Sequence, residues 1–374
     1  TLYTYIPTFS PYLESIGISH GMIGIILGSY GFVQMLLRIP LGIYSDRINK
    51  RKIFVIFGVL LGALSALGLW IFDNPYLILL FRSLAGAAAS CWVTYTVLFS
   101  SYFSREDTSR SVGYINSFNK TGQVAAMLLG GIVAQYFGKG VPFLLAVTVG
   151  IIGIGLSLGV VEKKNVDSDP LDIRELLQVA KNINLLMVSF LGAVIMLITF
   201  ATIFGFIPIA ASNIGASEFQ LSMIVTLANI ATLVASAFSG AFFGKRFGEK
   251  NSIIGGFILI AVTTIIVPYL GSVNLLILTQ LIGGFGRGIV YSLLMGLSIK
   301  EIADNKRATA MGFFQAIYGI GMFVGPVVVG FISDGFGLEF GFWFTGIIGI
   351  LGAVLSGVLL KKSFQNKFKA RISR

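Results

Sequence analysis

The chain has 374 residues, of which 55% are hydrophobic and 11% charged, and its mean hydropathy is +0.88. Ordinary soluble domains carry about 25% charged residues, so this much apolar side chain excludes a water-soluble fold and makes the bilayer the solvent. A single cysteine, Cys91, and a single histidine, His20, exclude a disulfide framework and any metal centre built on either residue type, and the net charge of +11 has to be located before it is read as a nucleic-acid footprint.

Apolar stretches of roughly the ~20 residues that cross a bilayer as a helix recur along the chain. They lie at 1–15, 21–45, 53–72, 76–101, 110–136, 141–160, 184–211, 219–243, 252–270, 275–299, 308–332 and 340–360, which predicts twelve transmembrane helices. The first is short before the turn Ile16 to Ser19, so the helix is expected to begin upstream of Thr1. This divides the chain into an N-terminal bundle at 1–161, a polar linker at 162–183, a C-terminal bundle at 184–360 and a basic tail at 361–374. Within the linker, Leu171 to Ala180 alternates apolar and charged residues as a helix lying on the membrane surface would.

The two bundles repeat one another. Ile16-Gly17-Ile18-Ser19 matches Ile214-Gly215-Ala216-Ser217 at an offset of 198, and Gly113, Gly122, Gly131 and Phe137-Gly138 match Gly312, Gly321, Gly330 and Phe336-Gly337 at 199. LGIYSDRINKR also pairs with SGAFFGKRFGEK, Arg47 falling on Arg246. Six helices followed by six more is an internal duplication. The 46 glycines suit it, because small residues let helices in lipid approach closely. GGFGRG (283–288) is read the same way rather than as a dinucleotide loop, since no strand precedes it.

Charge follows the same alternation. Twenty-two of the 27 Lys and Arg fall in one set of loops and the tail, the opposite loops hold only Lys139, and Arg38, Arg82, Lys120 and Arg287 lie inside spans. The excess is topogenic, so the basic loops and both termini are expected to be cytoplasmic, in a cell membrane, with the lipid bilayer and no nucleic acid as partner. Lys120 and Arg287 fall near mid-span, where an ionisable group is a functional candidate. Asn116, Asn119, Gln123, Tyr291, Gln315 and Tyr318 accompany them as candidate substrate contacts. All sixteen acidic residues lie in loops or at span ends, so the candidate cavity is positive and its solute is expected to carry an anionic group.

The stretch Gly42 to Lys52, with Gly42, Asp46, Arg47 and Arg51, resembles the signature loop of the major facilitator superfamily. Arg82 in RSLAG resembles that family's membrane arginine, a second candidate for substrate or proton handling. The resemblance implies an all-α membrane fold of two six-helix bundles, each a pair of inverted three-helix repeats, around a cavity open to one side at a time. It implies that the acidic residue of the loop, here Asp46, steadies one transport state against the start of the eleventh helix, around Arg307 to Gly312, with Gly42, Arg47 and Arg51 in the same gate. It further implies secondary transport of a small-molecule substrate by a monomer without cofactor or metal, and no enzyme activity. A proton-coupled multidrug exporter, with protons as coupling ion, and a non-transporting sensor on the same fold are the alternatives. Against the exporter, Ala126-Met127 stands where such antiporters carry Gly-Pro in the fifth span, and the Gly-Pro step is found instead at Gly325-Pro326.

Overall fold

The computed structural model describes residues 1–48, 50–104, 107–162, 181–303 and 306–360. They form twelve helical rods: α1 (Ile6–Ser15), α2 (His20–Ile48), α3 (Arg51–Ile71), α4 (Pro75–Ser100), α5 (Thr108–Phe137), α6 (Val141–Leu158), α7 (Ile183–Asn213), α8 (Glu218–Gly244), α9 (Glu249–Tyr269), α10 (Val273–Lys300), α11 (Arg307–Phe336) and α12 (Leu338–Leu359). Ten of these are long and apolar enough to cross a membrane; α1 is only ten residues long, and α5 carries the polar run around Lys120. The expected surface helix at Leu171 to Ala180 and the basic tail at 361–374 lie outside the described residues.

Local chemistry sets the helix ends. Asn74 accepts hydrogen bonds from the N–H groups of Tyr76 and Leu77, capping α4, and Asn182 caps α7 in the same way. Ser217 and Gln220 close a reciprocal capping box on α8. In α7 the regular ladder opens into a π-helical turn at Thr202–Phe206. Pro208 explains it: the ring has no N–H to offer the Phe204 carbonyl four residues back and would clash with it, so the turn widens.

The duplication is visible in the backbone. Gly17 and Gly215 take φ of +82° and +84°, and Gly138 and Gly337 take +100° and +97°, so the matched turns use the same left-handed geometry. All four turns lie at one end of the molecule, where Lys139 is the only Lys or Arg among the described residues.

At that end the halves are pressed together along two equivalent seams. In the first, α2 meets α11: a Cβ at Gly24 would stand 2.2 Å from the Pro326 carbonyl oxygen, one at Gly28 would stand 2.8 Å from the Phe323 oxygen, and one at Gly330 would stand 2.3 Å from the His20 oxygen. The Gly21 N–H donates to Asp334 Oδ2 at 2.8 Å. In the second seam, α5 meets α8 through the repeat mates: a Cβ at Gly131 would meet the Glu218 carbonyl, and the Phe219 N–H donates to Gln135. Lys139 Nζ and Glu218 Oε1 pair across it at 3.6 Å. In the first seam such spacing is possible only because the residues at the contact are glycine; in the second, Gly131 makes room for the Ser222 side chain.

The seams stop near mid-depth, where Arg38 of α2 donates to the Tyr318 hydroxyl of α11 at 3.4 Å. Toward the other end no glycine of α2 or α11 among the described residues touches the opposite half: Gly42 faces Val93 of α4, and a Cβ at Gly312 would meet nothing within 4 Å. We therefore read the molecule as sealed at the end poor in basic residues and open at the other.

Candidate functional site

The sealed end roofs a cavity between the halves. Leu2, Tyr3, Ile6, Leu27, Tyr30 and Arg82 line it from the N-terminal half, and Phe200 and Phe204 from the C-terminal half. The π turn of α7 sets the course of the helix at Phe204, and Ser10 locks that turn by donating to the Gly205 carbonyl at 2.6 Å.

Arg82 is the one charged residue of this lining. It is 4% exposed, so it does not snorkel toward the outer face as a long side chain at that depth could. Its guanidinium turns inward, lying 4.6 Å from the centre of the Tyr30 ring and 5.5 Å from that of Phe9, and donates to the Tyr5 hydroxyl at 3.1 Å. The Nε hydrogen has no acceptor. Ring faces attract a cation, and none of them carries a negative charge to pair with it.

A second polar group adjoins this one at the floor of the seam. Arg38 reaches Tyr318, whose ring meets Tyr291 at 6.1 Å and Phe314 at 5.6 Å, and Arg38 Nε also lacks an acceptor. Tyr30 of one half stacks on Phe200 of the other, centroids 6.3 Å apart and planes 17° from parallel. The cavity is therefore shared by the two halves, and any movement between them must alter it.

The remaining candidates from the sequence are placed as follows. On α5 they form one ladder: Lys120 donates to Gln123 Oε1 at 3.1 Å, Gln123 donates to Asn119, and Asn116 bonds back to the Val112 carbonyl. Gln315 is half-buried one turn before Tyr318. Arg287 is 4% exposed inside the C-terminal half, where it donates to the Gln280 carbonyl at 3.5 Å, with Gly283 and Thr263 beside it. The structure thus brings Tyr291 and Tyr318 together, holds Lys120 with its three polar neighbours on α5, and keeps Arg287 among α9 and α10.

The contacts given for the described side chains of the signature loop are within its own half. Gly42 faces Val93 of α4, where a Cβ would sit 3.8 Å from the valine methyl. Arg51 is buried, and its N–H donates to Glu162 Oε1, an anion placed at the start of α3. Lys52 donates to the Leu158 carbonyl at 2.7 Å, tying the loop to the end of α6, while Arg47 is exposed. The side chain of Asp46 lies outside what is described.

Sequence reasoning missed Tyr3, Tyr5, Tyr30, Phe200, Phe204 and the role of Arg38. Arg38 carried a signal, being one of four charges inside spans; of the aromatic residues only Phe204 carried one, the proline four residues on, in a chain with 32 phenylalanines and 13 tyrosines.

Among the described residues none of Arg38, Arg82, Lys120 and Arg287 has a carboxylate within 4 Å. Ion pairs among the described residues include His20 with Glu14, Lys139 with Glu218 and Lys300 with Glu249, all near the helix ends.

The chain is similar to known proteins. The model of the Major Facilitator Superfamily matches residues 1–208 and 189–371. An uncharacterised MFS-type transporter of Methanocaldococcus jannaschii is 25% identical over 373 residues, 95% of this chain and 93% of that protein. Quinolone resistance protein NorA of Staphylococcus aureus is 28% identical over 166 residues, 44% of this chain and 42% of NorA. Among solved structures, a bacterial homologue of the human lysosomal transporter Spinster, in an inward-facing and occupied conformation, superposes with a TM-score of 0.81 at 14% identity, covering 97% of this chain and 94% of that one. The nucleoside transporter NupG superposes with a TM-score of 0.76 at 17% identity, covering 96% of this chain and 95% of that one. At those identities the two structures speak for the fold alone.

Proposed function

The chain belongs to the major facilitator superfamily, and from that premise we propose that its halves carry a small anionic solute across a cell membrane through the cavity around Arg82 and Arg38. Secondary transport comes with the family and the fold. The anionic solute is our reading, and the observation that carries it is the set of four membrane-depth cations without a carboxylate partner. An unpaired charge in a low-dielectric interior costs several kcal/mol, and a bound anion offsets that cost while it is present. In this reading Arg82, from the lining, supplies the direct contact, and Arg38, held by Tyr318, adds positive potential beside it. Lys120 adds positive potential from α5, and Arg287 acts through its field from within the C-terminal half.

The open end is read as cytoplasmic, because the basic residues crowd there, which makes this the inward-open state. Transport then alternates it with a state in which the glycine seams have parted and the ends carrying Asp46 and Arg307 have met. The cavity is complete within one chain, which supports a monomer.

A proton-coupled exporter is the second reading, favoured by the similarity to NorA. It is weakened by the position of the carboxylates, which among the described residues sit near helix ends.

A binding screen on purified protein, reading thermal stabilisation by anionic and cationic metabolites of matched size, tests the proposal. Stabilisation confined to anions is expected. Stabilisation by cations alone would overturn it.

A further inference from the structure

The cavity lining is chemically lopsided, and that asymmetry narrows the solute. Against the single cation Arg82 stand Leu2, Ile6, Leu27, Phe200 and Phe204, with Tyr3 and Tyr30 offering ring faces and one hydroxyl each. We propose that the solute is an organic monoanion with a flat apolar body, its carboxylate on Arg82 and its body against Tyr30, Phe200 and Phe204. This rests on the anion reading above and goes further, since a positive cavity alone would serve phosphate or a dicarboxylate equally well.

Two observations support the apolar body. A compact inorganic anion on Arg82 would leave the five apolar side chains of the lining wet, whereas a hydrocarbon body removes that surface from solvent. The ring faces come from both halves, Tyr30 stacking on Phe200 at 6.3 Å and Phe200 meeting Phe204 at 5.3 Å, so a flat body touches each side of the moving interface.

Two observations set the charge at one. Arg82 already donates to Tyr5 and is walled by the rings of Tyr30 and Phe9, and its Nε donor stands unmatched. Arg38, the other arginine of the interface named above, is outside the lining and is held by Tyr318. A second carboxylate on the same solute would face apolar residues with no cation assigned to it. Polar solutes such as sugars need several donors and acceptors around the body, and this lining offers two phenols and a guanidinium.

Isothermal titration of the purified full chain in lipid nanodiscs tests this with five probes: 2-naphthoate, neutral 2-naphthamide, cationic 2-naphthylmethylamine, succinate and inorganic phosphate. Naphthoate is expected to bind more tightly than each of the others, by about tenfold or more, the factor that one charge-assisted contact supports. Arg82→Gln should abolish the preference for naphthoate over naphthamide. Phe204→Ala should weaken both naphthyl ligands together by about fivefold or more, the loss of one aromatic contact surface, and leave phosphate unchanged. Should Arg82→Gln fail to fold, Phe204→Ala and the five-probe ranking on the unaltered protein decide the matter. Succinate or phosphate binding as well as naphthoate would sink the organic-monoanion proposal while leaving the anion reading standing. Binding of the amine in preference to naphthoate would overturn both.

Discussion

Gly24→Ala is the smallest change that should shift the transport cycle. The added methyl would stand 2.2 Å from the Pro326 carbonyl oxygen, 2.9 Å from its carbon and 3.2 Å from Val327 Cα. These are backbone atoms of a helix, so no side chain can swing aside. Restoring an ordinary contact of about 3.5 Å requires the seam to part by about 1 Å along α2 and α11. Overpacking of this kind costs about 1–3 kcal/mol. Because the contact exists only while this end is sealed, the whole cost falls on that state. At about 1.4 kcal/mol per tenfold, the equilibrium should move roughly 5- to 150-fold toward the opposite state. Spin labels on Tyr76→Cys of α4 and Tyr269→Cys of α9, both exposed near the sealed end, in a Cys91→Ser background, report the separation by pulsed electron resonance. Gly24→Ala should populate the longer distance. Gly255→Ala, where a Cβ meets nothing within 4 Å, should not. Equal distance distributions in the two variants would refute the argument that this seam is the closing surface.

Other consequences are separable. Lys139→Ala should alter the same distance distribution only slightly, because its pairing with Glu218 is long at 3.6 Å and the lysine is 40% exposed, and such pairs contribute about 0–1 kcal/mol; a change as large as that of Gly24→Ala would show the ion pair to be the main latch. Asp46→Asn is expected to insert and fold but transport poorly while Lys245→Asn transports nearly normally, and equal defects would place the gating charge elsewhere. An impermeant amine reagent applied to intact cells should label Lys139 and spare Lys300, and the reverse pattern would invert the orientation. Pro208→Ala should let α7 close its ladder, displace Phe204 and weaken solute binding while the protein stays folded, as read by titration beside gel filtration; unchanged binding would detach the π turn from the site.

Much of the fold was legible because hydropathy in a membrane chain reports burial in lipid directly. The spans expected at 21–45 and 340–360 meet α2 and α12 within a few residues, and the offsets of 198 and 199 reappear as matched left-handed turns at Gly17 and Gly215 and at Gly138 and Gly337. The site was less legible. Arg82 stood out because a cation inside an apolar span is rare, yet its partners Tyr5 and Tyr30 come from other helices, and nothing local to RSLAG names them. Arg287 looked equivalent to Lys120 in depth, but depth along a helix does not give its facing, and the structure turns Arg287 toward Gln280 and Thr263 within its own half. Phe204 owes its setting to Pro208, four residues on, a signal that was readable from the chemistry of proline but not from hydropathy.

Counterflow in proteoliposomes tests the central claim most directly. Vesicles holding the purified chain are preloaded with a mixture of small organic anions or with a matched mixture of organic cations, then diluted into a radiolabelled trace of the same mixture. Transient accumulation of label above equilibrium in the anion-loaded vesicles, lost in Arg82→Gln, is the predicted result. Accumulation in the cation-loaded vesicles alone would contradict a carrier whose cavity is built around unpaired positive charge.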